Sequence, residues 1–305
     1  MRKFIGLAAI AAVAMAGPAL AQQDDGREIL NRVLQSILGP EPTPTPAPGT
    51  PEYQQGTRIE QVLAHPRRDA DRARDRYRHP EETLRFFQVE PGMTVVDYMP
   101  ADGWYSRILI PYLGEQGTYI GLNPELVGDF GPYWDMYRNA PTRIPADARQ
   151  WVGNEGANVF GANTDEIPSW MNGRADRFLI FREIHNMRRF GWLHDSLLAA
   201  RTMLKADGLL GVVQHRARAN APASYTLGDN GYQREEDVVA LFHAYGFELV
   251  SRSEINANPN DPANWEGGVW ALPPSLRGAD TQAERDRRTA IGESDRMTLL
   301  FRKRP

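Results

Sequence analysis

The sequence predicts an α/β protein built on a doubly wound, mostly parallel sheet. Three observations carry that prediction. Residues 94–123 read as strand, tight turn, helix, turn and strand: Val95 and Val96 begin a β-branched run, Pro100 and Gly103 break it, and Ile108, Leu109, Tyr112 and Leu113 share one helix face. Residues 177–214 repeat the pattern, with RFLIFREI as a strand, a helix from Trp192 to Leu204, a turn at Asp207–Gly208 and a strand from Leu209 to Gln214. Phe247–Ser253 then alternates as a strand and Met297–Arg302 reads as a final one, and an antiparallel hairpin of the two is usual in this fold class. Strand–helix–strand units of about thirty residues are the halves of a doubly wound sheet, which binds ligands at the carboxyl ends of its strands.

From the beginning of the chain, residues 1–21 read as a secretory signal. Arg2 and Lys3 form the charged start, Phe4–Ala16 the apolar middle and Ala19-Leu20-Ala21 the cleavage site. The apolar run is short for a membrane span, and Gly17–Pro18 breaks it. Cleavage before Gln22 sends the protein to the periplasm or outside the cell and takes its formal charge from −4 to −6, because Arg2 and Lys3 leave with the signal. Residues 22–38 hold a short amphipathic helix with Ile29, Leu30, Val33, Leu34, Ile37 and Leu38 as its stripe, set to pack on the main domain or on a partner. Residues 39–57 are a proline-rich linker, and 58–305 form the α/β domain.

Within that domain, RRDADRARDRYRH carries six arginines against three aspartates. It reads as a solvated helix laced by i,i+4 pairs, or as a basic lip for an anion. Pro80 opens the next helix, with Glu81 and Glu82 in its first turn. Tyr133, Trp134, Met136 and Tyr137 form an aromatic turn, either ordinary packing or one wall of a ring-binding site. Ala157–Gly161 reads as the third strand, Gly231–Tyr232 opens a helix, and Asn256–Pro274 is long enough to be a cover over a site.

The chain has 305 residues, a formal charge of −4 and no cysteine. Mild acidity excludes generic nucleic-acid binding, and the missing thiols exclude disulfides and thiolate metal sites. Lysine occurs only at 3, 205 and 303, which leaves few Schiff-base candidates. No G-x-S-x-G or G-x-x-x-x-G-K-[ST] appears, so a hydrolase elbow and triphosphate chemistry are not indicated.

The stretch TVVDYMPADGWYSRIL, with RHPEETLRFF, FREIHNM, SEINANP, GVWALPPSL and AIGESDRMTL, resembles a group of predicted bacterial class I methyltransferases, several of them exported. The resemblance runs from about Ile59 to the C-terminus. It implies a Rossmann-like sheet, S-adenosylmethionine as cofactor and methyl transfer to an acceptor it does not name. On matching positions it implies that Asp97 contacts the methionine moiety, that the Ala101–Gly103 backbone lies against it and that Asn123 holds the ribose. His185 or His215 would be the base. Two features depart from the pattern: Ala101 and Asp102 stand where glycine is usual, and Asn123 stands where an acid is usual.

Polar residues at strand carboxyl ends are the candidates the residues themselves offer. His185 and His215 end neighbouring strands, where each is a base, a metal ligand or a hydrogen-bonded structural histidine. A metal site would need a third ligand such as Glu183 or Glu254, and no metal-binding spacing is present. Two functions remain: an exported methyltransferase, or a methyltransferase-like fold that binds a small molecule or an envelope partner without catalysis. A histidine-based metal hydrolase is the third option. Stable membrane insertion is not expected after signal cleavage.

Overall fold

In the computed structural model, which describes residues 55–131 and 133–304, every predicted strand is present. The strands are β1 (Thr94–Tyr98), β2 (Thr118–Asn123), β3 (Asn158–Asn163), β4 (Ala175–Phe181), β5 (Leu204–His215), β6 (Phe247–Ser253) and β7 (Arg296–Lys303). They form one sheet in the order β3-β2-β1-β4-β5-β7-β6. The first five run parallel, and β7 inserts antiparallel between β5 and β6. The chain reverses its direction of winding between β1 and β4, and there the carboxyl ends open a crevice.

Side-chain alternation along the strands builds two cores. Val96 and Tyr98 of β1, with Phe178 and Ile180 of β4, pack with helices α7 (Leu193–Met203) and α8 (Glu235–Ala244). Val95, Leu179 and Phe181 point the other way, toward α1 (Gln55–Ala64), α3 (Pro80–Phe86), α4 (Ser106–Leu113) and α5 (Ala140–Val152). A strand buried on both faces must be apolar at every position except where function or a hydrogen bond intervenes, which singles out Asp97.

Several boundaries differ from expectation for identifiable reasons. The RFLIFREI strand stops at Phe181, because Arg182 turns left-handed (φ 65) and Ile184–Phe190 becomes helix α6. His185 therefore sits in a helix, not at a strand end. The strand expected from Leu209 already begins at Leu204, where α7 stops. α8 begins at Glu235 instead of Gly231–Tyr232. The last residues of the predicted linker, 55–57, are the first of α1; the rest of the linker, the signal and the 22–38 helix lie outside the described residues. Besides α6, two helices were not expected: α5, hidden by Pro141 and Pro145, and α9 (Gln282–Ile291).

The arginine-rich segment is not a solvated helix. It folds as short turns ending in the four-residue α2 (Asp75–Arg78), and Arg68, Asp71 and Arg78 are buried. Its ion pairs are mostly long-range: Arg107 grips Asp71 with two bonds of 2.6 and 2.7 Å, while Arg74 and Arg78 reach Glu293. No helix among the described residues is long and apolar enough to cross a membrane.

Helix α5 can lie against β2 and β3 because two glycines pair across them, Gly121 and Gly161. A Cβ on Gly161 would come within 2.0 Å of the Ala140 carbonyl oxygen, and one on Gly121 within 2.8 Å of Ile144. Gly161→Ala is therefore expected to cost roughly 2–3 kcal/mol, since backbone has to shift. Urea unfolding reads this directly, and an unchanged midpoint would show that α5 is not seated as described.

Candidate active site

The turn after β1 is the first component. Met99, Ala101 and Gly103 all have left-handed backbone, with φ of 53, 51 and 77. Every second residue thus adopts the conformation glycine accepts most readily, although two of the three carry side chains, each at a cost of about 1 kcal/mol or more. The sequence reading placed the glycine departures at Ala101 and Asp102. The backbone places them at Met99 and Ala101, and Asp102 is not left-handed. Residue type alone could not fix that register.

A cleft of about 760 Å³ opens beside this turn. Ala101 and Asp102 line one side with Tyr133, Trp134 and Tyr137; Arg182, Glu183, His185 and Asn186, which follow β4, line another with His215. Residues 269–275 form a further wall, so the long loop expected to cover a site does border this one. Of the residues named from sequence, the cleft brings together Ala101, His185 and His215. It does not include Asp97, Gly103 or Asn123.

Each of those three has a different neighbour. Asp97 is 2% exposed, and its Oδ2 accepts a 2.9 Å bond from the Tyr119 hydroxyl, which also meets Ser106 Oγ at 2.8 Å. It lies under α4, on the face set by strand alternation. Burial pushes its carboxyl up to about 7, with the Tyr119 and Ser106 bonds and the nearby Arg182 opposing that rise. Gly103 lies under the Trp151 ring, 2.6 Å from where a Cβ would be. Asn123 is 1% exposed and donates through Nδ2 to the Tyr137 carbonyl at 3.0 Å, joined there by Asn163 at 3.2 Å. Its Oδ1 is buried without a hydrogen-bond partner.

The two histidines are neighbours, with ring centroids 5.6 Å apart. Burial lowers His185 to about 3, and Gln214 Nε2 lies 3.4 Å from its Nδ1. His215 is also lowered well below its usual value, by burial first and then by His185, Arg296, Arg182 and Arg78; its Nδ1 is 2.5 Å from Ser294 Oγ. Both rings are therefore neutral at neutral pH and weak as bases. Glu183 is better tuned: burial pushes its carboxyl up to about 7, although Asn186 donates to it at 2.8 Å. A group near 7 suits proton transfer. From sequence Glu183 was only a possible metal ligand, read as lying inside the strand, and its place in the cleft was not visible. No group of three metal-binding side chains occurs among the described residues.

Strand order and direction define a doubly wound, mostly parallel α/β protein with an antiparallel C-terminal pair. Solved structures with similar folds include a SAM-dependent methyltransferase from Aquifex aeolicus (18% identity, 67% of this chain and 94% of that one, TM-score 0.45). Another is the 1,6-didemethyltoxoflavin-N1-methyltransferase of Burkholderia thailandensis with bound S-adenosylhomocysteine (14%, 97% and 98%, TM-score 0.44). The cyclase SpnF is a third (15%, 74% and 81%, TM-score 0.48). These scores fall below 0.5, and the class rests on strand order and direction. No protein-family model and no curated protein matches the sequence.

The buried carboxyls and imidazoles oppose each other in pH. Unfolded His185 titrates near 6.5 and folded near 3, so the unfolded state binds the extra proton and stability falls as pH drops through that window. Folded Asp97 titrates near 7 against 3.8 unfolded, so its contribution is present at low pH and is lost as pH rises toward 7. Asp97→Asn keeps an acceptor for Tyr119 without the charge. Relative to wild type, the variant should gain roughly 2–3 kcal/mol between pH 5 and pH 8, measured by chemical unfolding at both. A pH-independent difference would show that Asp97 ionises freely.

Proposed function

We propose that the chain is a small-molecule methyltransferase of the S-adenosylmethionine-dependent kind. The observation that carries this reading is the β1 turn: it keeps left-handed backbone at 99, 101 and 103 and opens on the same cleft as Glu183, His185 and His215. The residues present fit the cofactor in kind. The Ala101 backbone, which lines the cleft, would lie against its methionine end. When bound, the cofactor supplies an electrophilic methyl group. The chain's own part is to orient the acceptor in the cleft and to take its proton, a role suited to Glu183 Oε1 or Oε2 ahead of the two neutral imidazoles.

A second reading has its own support. Asn123 is 1% exposed and tied to the Tyr137 carbonyl, and Asp97 is occupied by Tyr119. In that reading the fold binds a ligand without transferring a methyl group. The predicted signal adds to it, because an exported protein works away from the cytoplasmic cofactor supply; periplasmic location is part of the proposal and is tested by fractionation.

Isothermal titration with S-adenosylmethionine and S-adenosylhomocysteine separates the two. Micromolar binding that tightens in Ala101→Gly, where a Cβ is removed at φ 51 without loss of thermal stability, supports methyl transfer. Silence up to millimolar in both proteins leaves ligand binding as the function.

A further inference from the structure

We propose that the molecule bound in the cleft carries a carboxylate or phosphate group, and that Arg182 receives it. This deepens the preceding reading by naming a substrate class. It depends on the cleft being the functional site and not on methyl transfer.

Arg182 is the first residue beyond β4, held in place by its backbone N–H to the Val213 carbonyl at 2.7 Å. Its side chain lines the cleft, half-buried, and has no hydrogen bond or ion pair among the described residues. Behind it lies an uneven cluster. Arg74 Nε, Arg78 Nε and Arg296 Nη2 all reach the single carboxylate of Glu293, at 2.5, 3.4 and 2.6 Å. Three guanidiniums thus share that one carboxylate, and Arg182 stands beside them without reaching it. Arg78 is 3% exposed, and its Nη1 is buried without a partner; Nε of the buried Arg296 is another such orphan. Glu183 and Asp97 both feel the charge of Arg182, and burial raises both carboxyls.

Unpaired guanidinium in a partly dry cleft is unfavourable unless an anion completes it. The cleft lining also holds Asp102, Asp229 and Glu293, so it is the unpartnered fork of Arg182 that invites an anion, its planar geometry suiting carboxylate and phosphate oxygens. The exposed Arg277 also lines the cleft, with its guanidinium 5.2 Å from the Trp270 ring centroid. Trp270, Trp134 and Tyr137 give the same cleft flat apolar walls. A ligand with a flat body and an anionic head meets both features.

The full chain is titrated calorimetrically with benzoate, phenyl phosphate and neutral benzyl alcohol, at low and high salt. The expected result is binding of at least one anion, weakened by salt, with benzyl alcohol much weaker; the tighter anion names the head group. Arg182→Gln should lose about tenfold or more in anion affinity, the loss expected for one charge-assisted contact. The same variant should melt higher, because a repulsive charge is gone. Arg277→Gln, at an exposed position that folding does not need, should slow association at low salt. Equal binding of alcohol and anions, no anion binding to millimolar levels, or full affinity in Arg182→Gln overturns the proposal. Anion binding without cofactor binding sinks only methyl transfer, and cofactor binding without anion preference sinks only this inference.

Discussion

Glu293 is the carboxylate on which the arrangement of the cleft depends. It sits just before β7 and draws in Arg74 and Arg78 from the far end of the domain, with Arg296 from its own strand. Three cations hold its carboxyl at about 2 against the pull of burial. Remove that charge and three guanidiniums would face one another in a nearly dry space, a far costlier state than a lost surface pair. The contact also explains why an arginine-rich stretch that looks solvated in sequence is folded inward. Glu293 lies 219 residues from Arg74 and 215 from Arg78.

The strands were legible because their signal is local. Short apolar runs mark β1 (Val95, Val96), β4 (Phe178–Phe181) and β7 (Leu299–Phe301), which are buried on both faces. Helix α5 was hidden by its prolines: Pro141 falls in the first turn, where no intrahelical donor is needed, but Pro145 lies inside the helix, and the start is capped from a distance by Ala140 N–H to Asn163 Oδ1 at 3.1 Å. The end of β4 was misjudged because FREI continues the apolar pattern, while the left-handed turn at Arg182 leaves no mark in composition.

The site was half legible for the same reason. Ala101, His185 and His215 follow from their place near strand ends, and the cleft gathers them. Asp97 and Asn123 were assigned by motif position, but which way a side chain points depends on strand parity and on what covers it. Parity sends Asp97 under α4 toward Tyr119. The segment from Pro124 to Tyr137 covers Asn123, and no residue inside the motif records that. Arg182, Glu183 and Glu293 were missed as a group because their importance lies in unequal numbers of charges brought together by the fold, which no short window displays.

The position of β7 has a consequence for assembly. It is an interior strand, bonded to β5 on one side and β6 on the other, yet it is the last strand described in the chain. During synthesis the free edge of β5 stays open until Arg296–Lys303 has emerged, and β6 has no neighbour in the sheet before then. The same late strand brings Arg296, with Glu293 just ahead of it, so the charged floor of the crevice and the closure of the sheet are completed in a single event.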